Sequence, residues 1–163
     1  MRLDRVLFVT AATFGLLLVG SPARADITAF LGAAGGPSTR VAAGLAVGAA
    51  AGPLGWEFEY SHVSSDEAEG SPSLQTFMIN GIGQTPFVAG RMQFYGTLGA
   101  GLFHEDLLGD SKTNLGVNGG LGVKMAAYGP LRVRFDYRLT RLVGSAFGSK
   151  TIHRFYVGAN IRF

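Results

Sequence analysis

Residues 131–139 read LRVRFDYRL. Leu131, Val133, Phe135, Tyr137 and Leu139 share one parity, and Arg132, Arg134, Asp136 and Arg138 share the other. Successive side chains of a strand point to opposite faces, so the segment predicts a strand with one apolar and one charged face. The fold turns on which of those faces meets water.

The same alternation extends in both directions. In WEFEYS, Trp56, Phe58 and Tyr60 oppose Glu57, Glu59 and Ser61. From Arg91 onward, Met92, Phe94, Leu98, Ala100 and Leu102 oppose Arg91, Gln93, Tyr95 and Thr97. In NLGVNGGLGVKM, Leu115, Val117, Leu121, Val123 and Met125 oppose Asn114, Asn118, Lys124 and three glycines. At the end of the chain, Phe155, Val157, Ala159, Ile161 and Phe163 oppose Arg154, Tyr156, Asn160 and Arg162. Eight such segments are expected, at 26–35, 39–50, 55–64, 74–83, 91–104, 113–127, 131–143 and 151–163. The connections alternate between compact Gly/Pro-rich turns (AAGPLG, TPFVAG, YGP) and a more polar series (GGPST, SSDEAEGSPS, HEDLLGDSK, VGSAFGSK).

Ahead of these segments stands MRLDR, then the 15-residue uncharged run VLFVTAATFGLLLVG, then SPARA. A basic start, a short apolar run and small residues at positions 23 and 25 predict a cleaved secretory signal over 1–25. The run is short for a spanning helix, which needs about 20 residues. The expected mature domain is 26–163. The leader carries Arg2, Arg5 and Arg24 against Asp4, so the formal charge falls from +3 to +1 on its removal. With no Lys/Arg run and no basic patch interleaved with aromatics, no nucleic-acid partner is expected. The absence of cysteine excludes disulfides, thiolate nucleophiles and cysteine metal sites.

Alternation alone permits a soluble barrel with its apolar face inward. Two features favour the opposite orientation. The apolar face recurs on every segment and carries aromatics near strand ends, at Trp56, Phe94 and Phe163, as an interfacial girdle does. The polar face is rich in Gly, Ala, Asn and Thr, whereas a solvated outer surface is dense in flexible charges. An eight-strand interior is narrow and is filled by side chains. The reading is therefore all-β: an eight-stranded antiparallel transmembrane up-and-down barrel, both termini periplasmic, apolar residues facing lipid.

The inward set then contains a polar network of Glu57, Glu59, Arg132, Arg134, Asp136, Arg138 and Arg154. Carboxylates and guanidiniums in a confined interior are expected to pair, because an unpaired buried charge is costly. The cations in excess, among them Arg40, Arg91, Lys124 and Arg162, are expected near wet rims.

These residues carry a likeness. The 26–163 region resembles the small eight-stranded outer-membrane barrels of Gram-negative bacteria, of the OmpX, NspA and OmpA transmembrane-domain type. Tyr156, Gly158, Ile161 and Phe163 are similar to the terminal signal, polar-x-Gly-x-x-apolar-x-aromatic, read by the barrel assembly machinery. The resemblance implies outer-membrane localisation, contact with lipid and lipopolysaccharide, insertion by that machinery, and a monomer. The motifs are specific for architecture and targeting and nearly silent about activity; no cofactor and no catalysis are expected.

Two other functions are weighed beside a structural or surface-interaction role. YSHVSSDE offers a base at His62, a hydroxyl at Ser64 and carboxylates at Asp66 and Glu67. It distantly resembles the His-x-Ser-Asn motif of lipid A deacylases, but Ser65 replaces the Asn and Gln75 and Thr76 stand where a Glu belongs. The surplus of inward cations would suit a small anion channel. His104, Glu105 and Asp106 are adjacent, so alternation prevents their converging on one metal; they are expected at the rim of a loop.

Overall fold

A computed structural model describes residues 24–35, 39–65, 71, 73–87, 91–107, 110–143 and 151–163. It contains eight strands: β1 (Arg24–Gly35), β2 (Thr39–Ala51), β3 (Leu54–Val63), β4 (Ser73–Gln84), β5 (Met92–Leu107), β6 (Asp110–Tyr128), β7 (Leu131–Val143) and β8 (Thr151–Arg162). Each pairs antiparallel with its sequence neighbours, and β1 pairs with β8 to close the barrel. Closure satisfies backbone groups that a sheet edge would leave bare in lipid.

The chain turns tightly at one end of the barrel. Gly52-Pro53 joins β2 to β3, and Gly129-Pro130 joins β6 to β7. Both glycines have positive φ, 61° and 55°, and the fixed φ of the following proline suits the tight hairpin turn that matches strand twist. The register shifts between Ala126 and Tyr128, where Tyr128 stands 88 % exposed at the rim. Both ends of the strand series, Arg24 and Arg162, lie at this end, which is the periplasmic one in the expected orientation.

The opposite end differs from expectation at one hairpin. HEDLLGDSK does not form a loop from residue 104; β5 continues to Leu107 and β6 begins at Asp110. His104, Glu105 and Asp106 are therefore strand residues rather than loop rim. Cross-strand polar pairs support the extension: His104 Nδ1 with Thr113 Oγ1 at 2.9 Å, and Asn114 Nδ2 donating to Glu105 Oε2 at 2.9 Å. Polar composition read as loop is here a paired strand beyond the apolar belt.

Face assignment follows parity. Leu31, Leu45, Phe58, Ile79, Leu98, Leu121, Phe135 and Phe155 all point outward and are exposed. So large a continuous apolar exterior would aggregate in water and suits lipid. Trp56, Phe94, Tyr128 and Phe163 are exposed toward the periplasmic end. Further along, Tyr60 stacks near Phe77 at 4.8 Å and Tyr137 near Phe155 at 4.6 Å. Among the described residues no helix is long and apolar enough to cross a membrane; the strands are the crossing elements.

Candidate functional site: the barrel interior

The inward side chains form layers. The central layer holds Glu57 and Glu59 from β3, Arg134, Asp136 and Arg138 from β7, and Arg154 from β8. All six side chains are at most 2 % exposed. Arg134 bridges two carboxylates: its Nη1 meets Glu57 Oε2, and its Nε meets Asp136 Oδ2 at 2.6 Å. Arg138 reaches Glu57 at 2.8 Å, Glu59 at 2.5 Å and Asp136 at 3.5 Å. Arg154 lies 3.6 Å from Glu59 and donates to Ser61 Oγ at 2.6 Å and Thr140 Oγ1 at 3.3 Å. Three guanidiniums thus face three carboxylates, and the cluster is neutral as a whole. Charge matching of this kind is what makes deep burial of six ions tolerable.

Two tyrosines flank the cluster. Tyr95 donates to Asp136 Oδ2 and accepts from Arg134 Nε at 2.6 Å. Tyr156 donates to Glu59 Oε2 at 3.3 Å, and its ring stacks on Phe30 at 4.3 Å. Space for these rings comes from glycine. A Cβ on Gly32 would lie 2.5 Å from Tyr156 Cβ, and one on Gly44 would lie 2.8 Å from Phe30 Cε2. Gly122, paired with Tyr95 across β5 and β6, likewise sits beneath that phenol. The high glycine content therefore works as small-opposite-large packing inside a narrow barrel. Beside the ions lies a pair of buried amides, Asn118 Nδ2 donating to Asn80 Oδ1 at 3.0 Å.

Toward the outer end the inward face carries an apolar cluster, with the buried Glu105 beside Leu74. Ala34, Ala42, Val63, Leu74, Met78, Phe103, Leu142 and Ile152 form one buried cluster with contributions from seven strands. Parity by itself predicts an inward face that is polar throughout. A signal for the change exists: the alternation inverts at strand ends, with His62 outward beside Val63, Arg141 outward beside Leu142 and His153 outward beside Ile152.

Toward the periplasmic end lies a cavity of about 460 Å³. Lys124 pairs there with Asp26 at 2.7 Å. Arg132, expected in the same network as the other six charges, is in this mouth instead. Parity located its face correctly; its depth along the strand separates it from Glu57 and Glu59. Arg162 lines the same cavity, and Arg40 at the other end donates to the Ser64 carbonyl at 3.1 Å. Arg91, expected inward, is exposed in the turn before β5.

His62 and Ser64 do share the outward parity. The register places Gln75, not a carboxylate, opposite His62, while Asp66 and Glu67 lie outside the described residues. Among the described residues no three His, Asp or Glu side chains converge to hold a metal ion.

The terminal residues sit as parity requires. Tyr156 is buried inward, whereas Ile161 and Phe163 are exposed on the lipid side. Gly158 permits close approach of β1, since a Cβ there would come within 2.9 Å of the Ala29 carbonyl oxygen.

Residues 10–163 match the family described as outer membrane protein beta-barrel domain. The chain belongs to that family. The fold of this outer-membrane barrel is similar to three solved structures. The neisserial surface protein A aligns with TM-score 0.64 at 15 % identity, over 86 % of this chain and 95 % of that one. The N-terminal barrel domain of Pseudomonas aeruginosa OprF aligns with TM-score 0.63 at 15 % identity, over 86 % and 97 %. A major outer membrane protein of Thermus thermophilus aligns with TM-score 0.65 at 16 % identity, over 87 % and 100 %. No curated protein matches at the sequence level. The protein is a small β-barrel of the bacterial outer membrane.

Proposed function

We propose that this barrel acts as a non-conducting, non-catalytic surface element of the outer membrane, exported by a cleaved leader (1–25). The observation that supports this most is the pair of stacked layers inside it. A neutral six-ion cluster with side chains at most 2 % exposed lies beneath an apolar cluster whose members are at most 6 % exposed. An ion crossing the barrel would have to break buried ion pairs and then enter an apolar constriction, each step costing several kcal/mol. Lipid and the lipopolysaccharide leaflet are its surroundings in this reading. Tyr156, Gly158, Ile161 and Phe163 serve recognition by the barrel assembly machinery during insertion.

Planar-bilayer recording of the folded protein tests the closed interior. Silence is expected at either polarity up to about 100 mV, a field that does about 2.3 kcal/mol of work on one crossing charge; stepwise conductance would refute it. Lipid A mass spectra from cells expressing the protein should be unchanged. A deacylated species that disappears with Ser64→Ala would replace the structural reading with the hydrolase.

A further inference from the structure

We propose that the periplasmic mouth of the barrel is a binding site for a phosphate group. The cavity of about 460 Å³ opens among Arg24, Lys124, Arg132 and Arg162, with Asp26 as the acidic residue in its lining. Asp26 is already engaged by Lys124 at 2.7 Å. That leaves the arginines in surplus. Removing residues 1–25 would take Arg24 away and leave the α-ammonium of Asp26 in its place, so the surplus persists in either form.

Arg132 is the decisive residue. It is 9 % exposed, and its guanidinium lines the cavity opposite no carboxylate within ion-pair distance, Asp26 being held by Lys124 instead. Its guanidinium lies over the Phe87 ring at 4.6 Å, and that of Arg162 lies 5.9 Å from the same ring. One aromatic thus holds two guanidiniums at the same cavity, with their N–H edges free to donate. Both guanidiniums face the open cavity, and an oxoanion entering between the two forks gains charge-assisted hydrogen bonds from each. A single carboxylate presents two oxygens in one plane and suits one fork. A tetrahedral phosphate presents three or four oxygens and can engage both. Low-dielectric walls concentrate the field of these charges at the cavity.

The cavity also reaches the rim: Arg132, Arg162 and Phe87 line a second hollow with Gly129 and Pro130, next to the exposed Tyr128. A phosphate could therefore arrive on a free periplasmic solute or on the headgroup of an inner-leaflet phospholipid.

The test uses the exported protein, folded in a micelle of a sugar-headgroup detergent that contains no phosphate. Arginine Nε–Hε signals are followed by ¹⁵N NMR and assigned with Arg132→Gln and Arg162→Gln. One arm titrates inorganic phosphate and glycerol 3-phosphate against chloride at equal ionic strength. The other dopes the micelle with phosphatidylglycerol. Saturable shifts of the Arg132 and Arg162 signals are expected. Free phosphates alone producing them identifies a solute as the source; the doped lipid alone identifies a headgroup; either supports the site. Loss of a charge-assisted bond should weaken binding about tenfold or more in Arg132→Gln. Arg162→Gln should weaken it likewise, and heat-modifiable gel migration verifies that each variant is folded. Lys112→Gln, at the opposite end, should bind as the native protein does. No saturable shift in either arm, or equal weakening by Lys112→Gln, overturns the proposal.

Discussion

Replacing Glu57 with Gln changes almost nothing but charge, which makes it the sharpest probe of the interior. Glu57 receives Arg134 Nη1, Arg134 Nη2 at 3.3 Å and Arg138 Nη2 at 2.8 Å. Glutamine keeps the shape, but its amide nitrogen turns a donor toward guanidinium donors. The three-against-three cluster becomes three against two, carrying an uncompensated buried charge. Breaking a buried pair by removing one partner costs about 3–5 kcal/mol. Arg134 keeps Asp136 at 2.6 Å and Arg138 keeps Glu59 at 2.5 Å, so the lower end, about 3 kcal/mol, is expected. Adding Arg134→Gln restores neutrality, and the double variant should be less destabilised than the sum of the singles by about 1–3 kcal/mol. The assay is denaturant unfolding from lipid vesicles, read by fluorescence. Trp56 is the one tryptophan and faces lipid at 48 % exposure, so its emission shifts as the barrel leaves the bilayer. A loss below about 1 kcal/mol for Glu57→Gln, as exposed ion pairs give, would mean the cluster is screened by solvent. The account of a closed interior would then fail.

Four further outcomes are expected. Leu121→Arg, at an outward site 69 % exposed, should destabilise the membrane-embedded barrel by about 2–4 kcal/mol, measured by the same unfolding assay; a neutral result would point to a water-facing exterior. Phe103→Ala removes a fully buried ring from the outer apolar cluster and should cost about 3–5 kcal/mol in that assay. Intact mass of the exported protein should correspond to residues 26–163, and a chain still carrying Arg24 and Ala25 would move the cleavage site. Deleting Phe163 should slow insertion by the assembly machinery more than it lowers the stability of a folded barrel; equal effects would argue against a signal role.

Strand number, closure and face were readable because alternation depends only on neighbours. Arg134, Asp136 and Arg138 are two apart, so their common face follows from parity alone. Depth is different. Whether Arg132 meets Glu57 or the cavity mouth depends on the stagger between strands, which parity does not encode. Glu57 and Arg134 stand 77 residues apart, and only the closed register brings them together. The outer apolar layer was legible in principle, since His62 next to Val63 and Arg141 next to Leu142 reverse the pattern of the strand below. The long β5–β6 hairpin was hidden because its polar residues imitate a loop, while in the fold they pair across the ladder.

The equality of three guanidiniums and three carboxylates has an electrical consequence. One elementary charge carried across a membrane at 100 mV does about 2.3 kcal/mol of work. A cluster that sums to zero does none when it is displaced as a unit, so a voltage gives these six ions nothing to pull on. The central cluster is therefore indifferent to polarisation of the membrane that holds it. In the Glu57→Gln variant the cluster carries one excess positive charge, and its contribution to stability would depend on the sign of the potential.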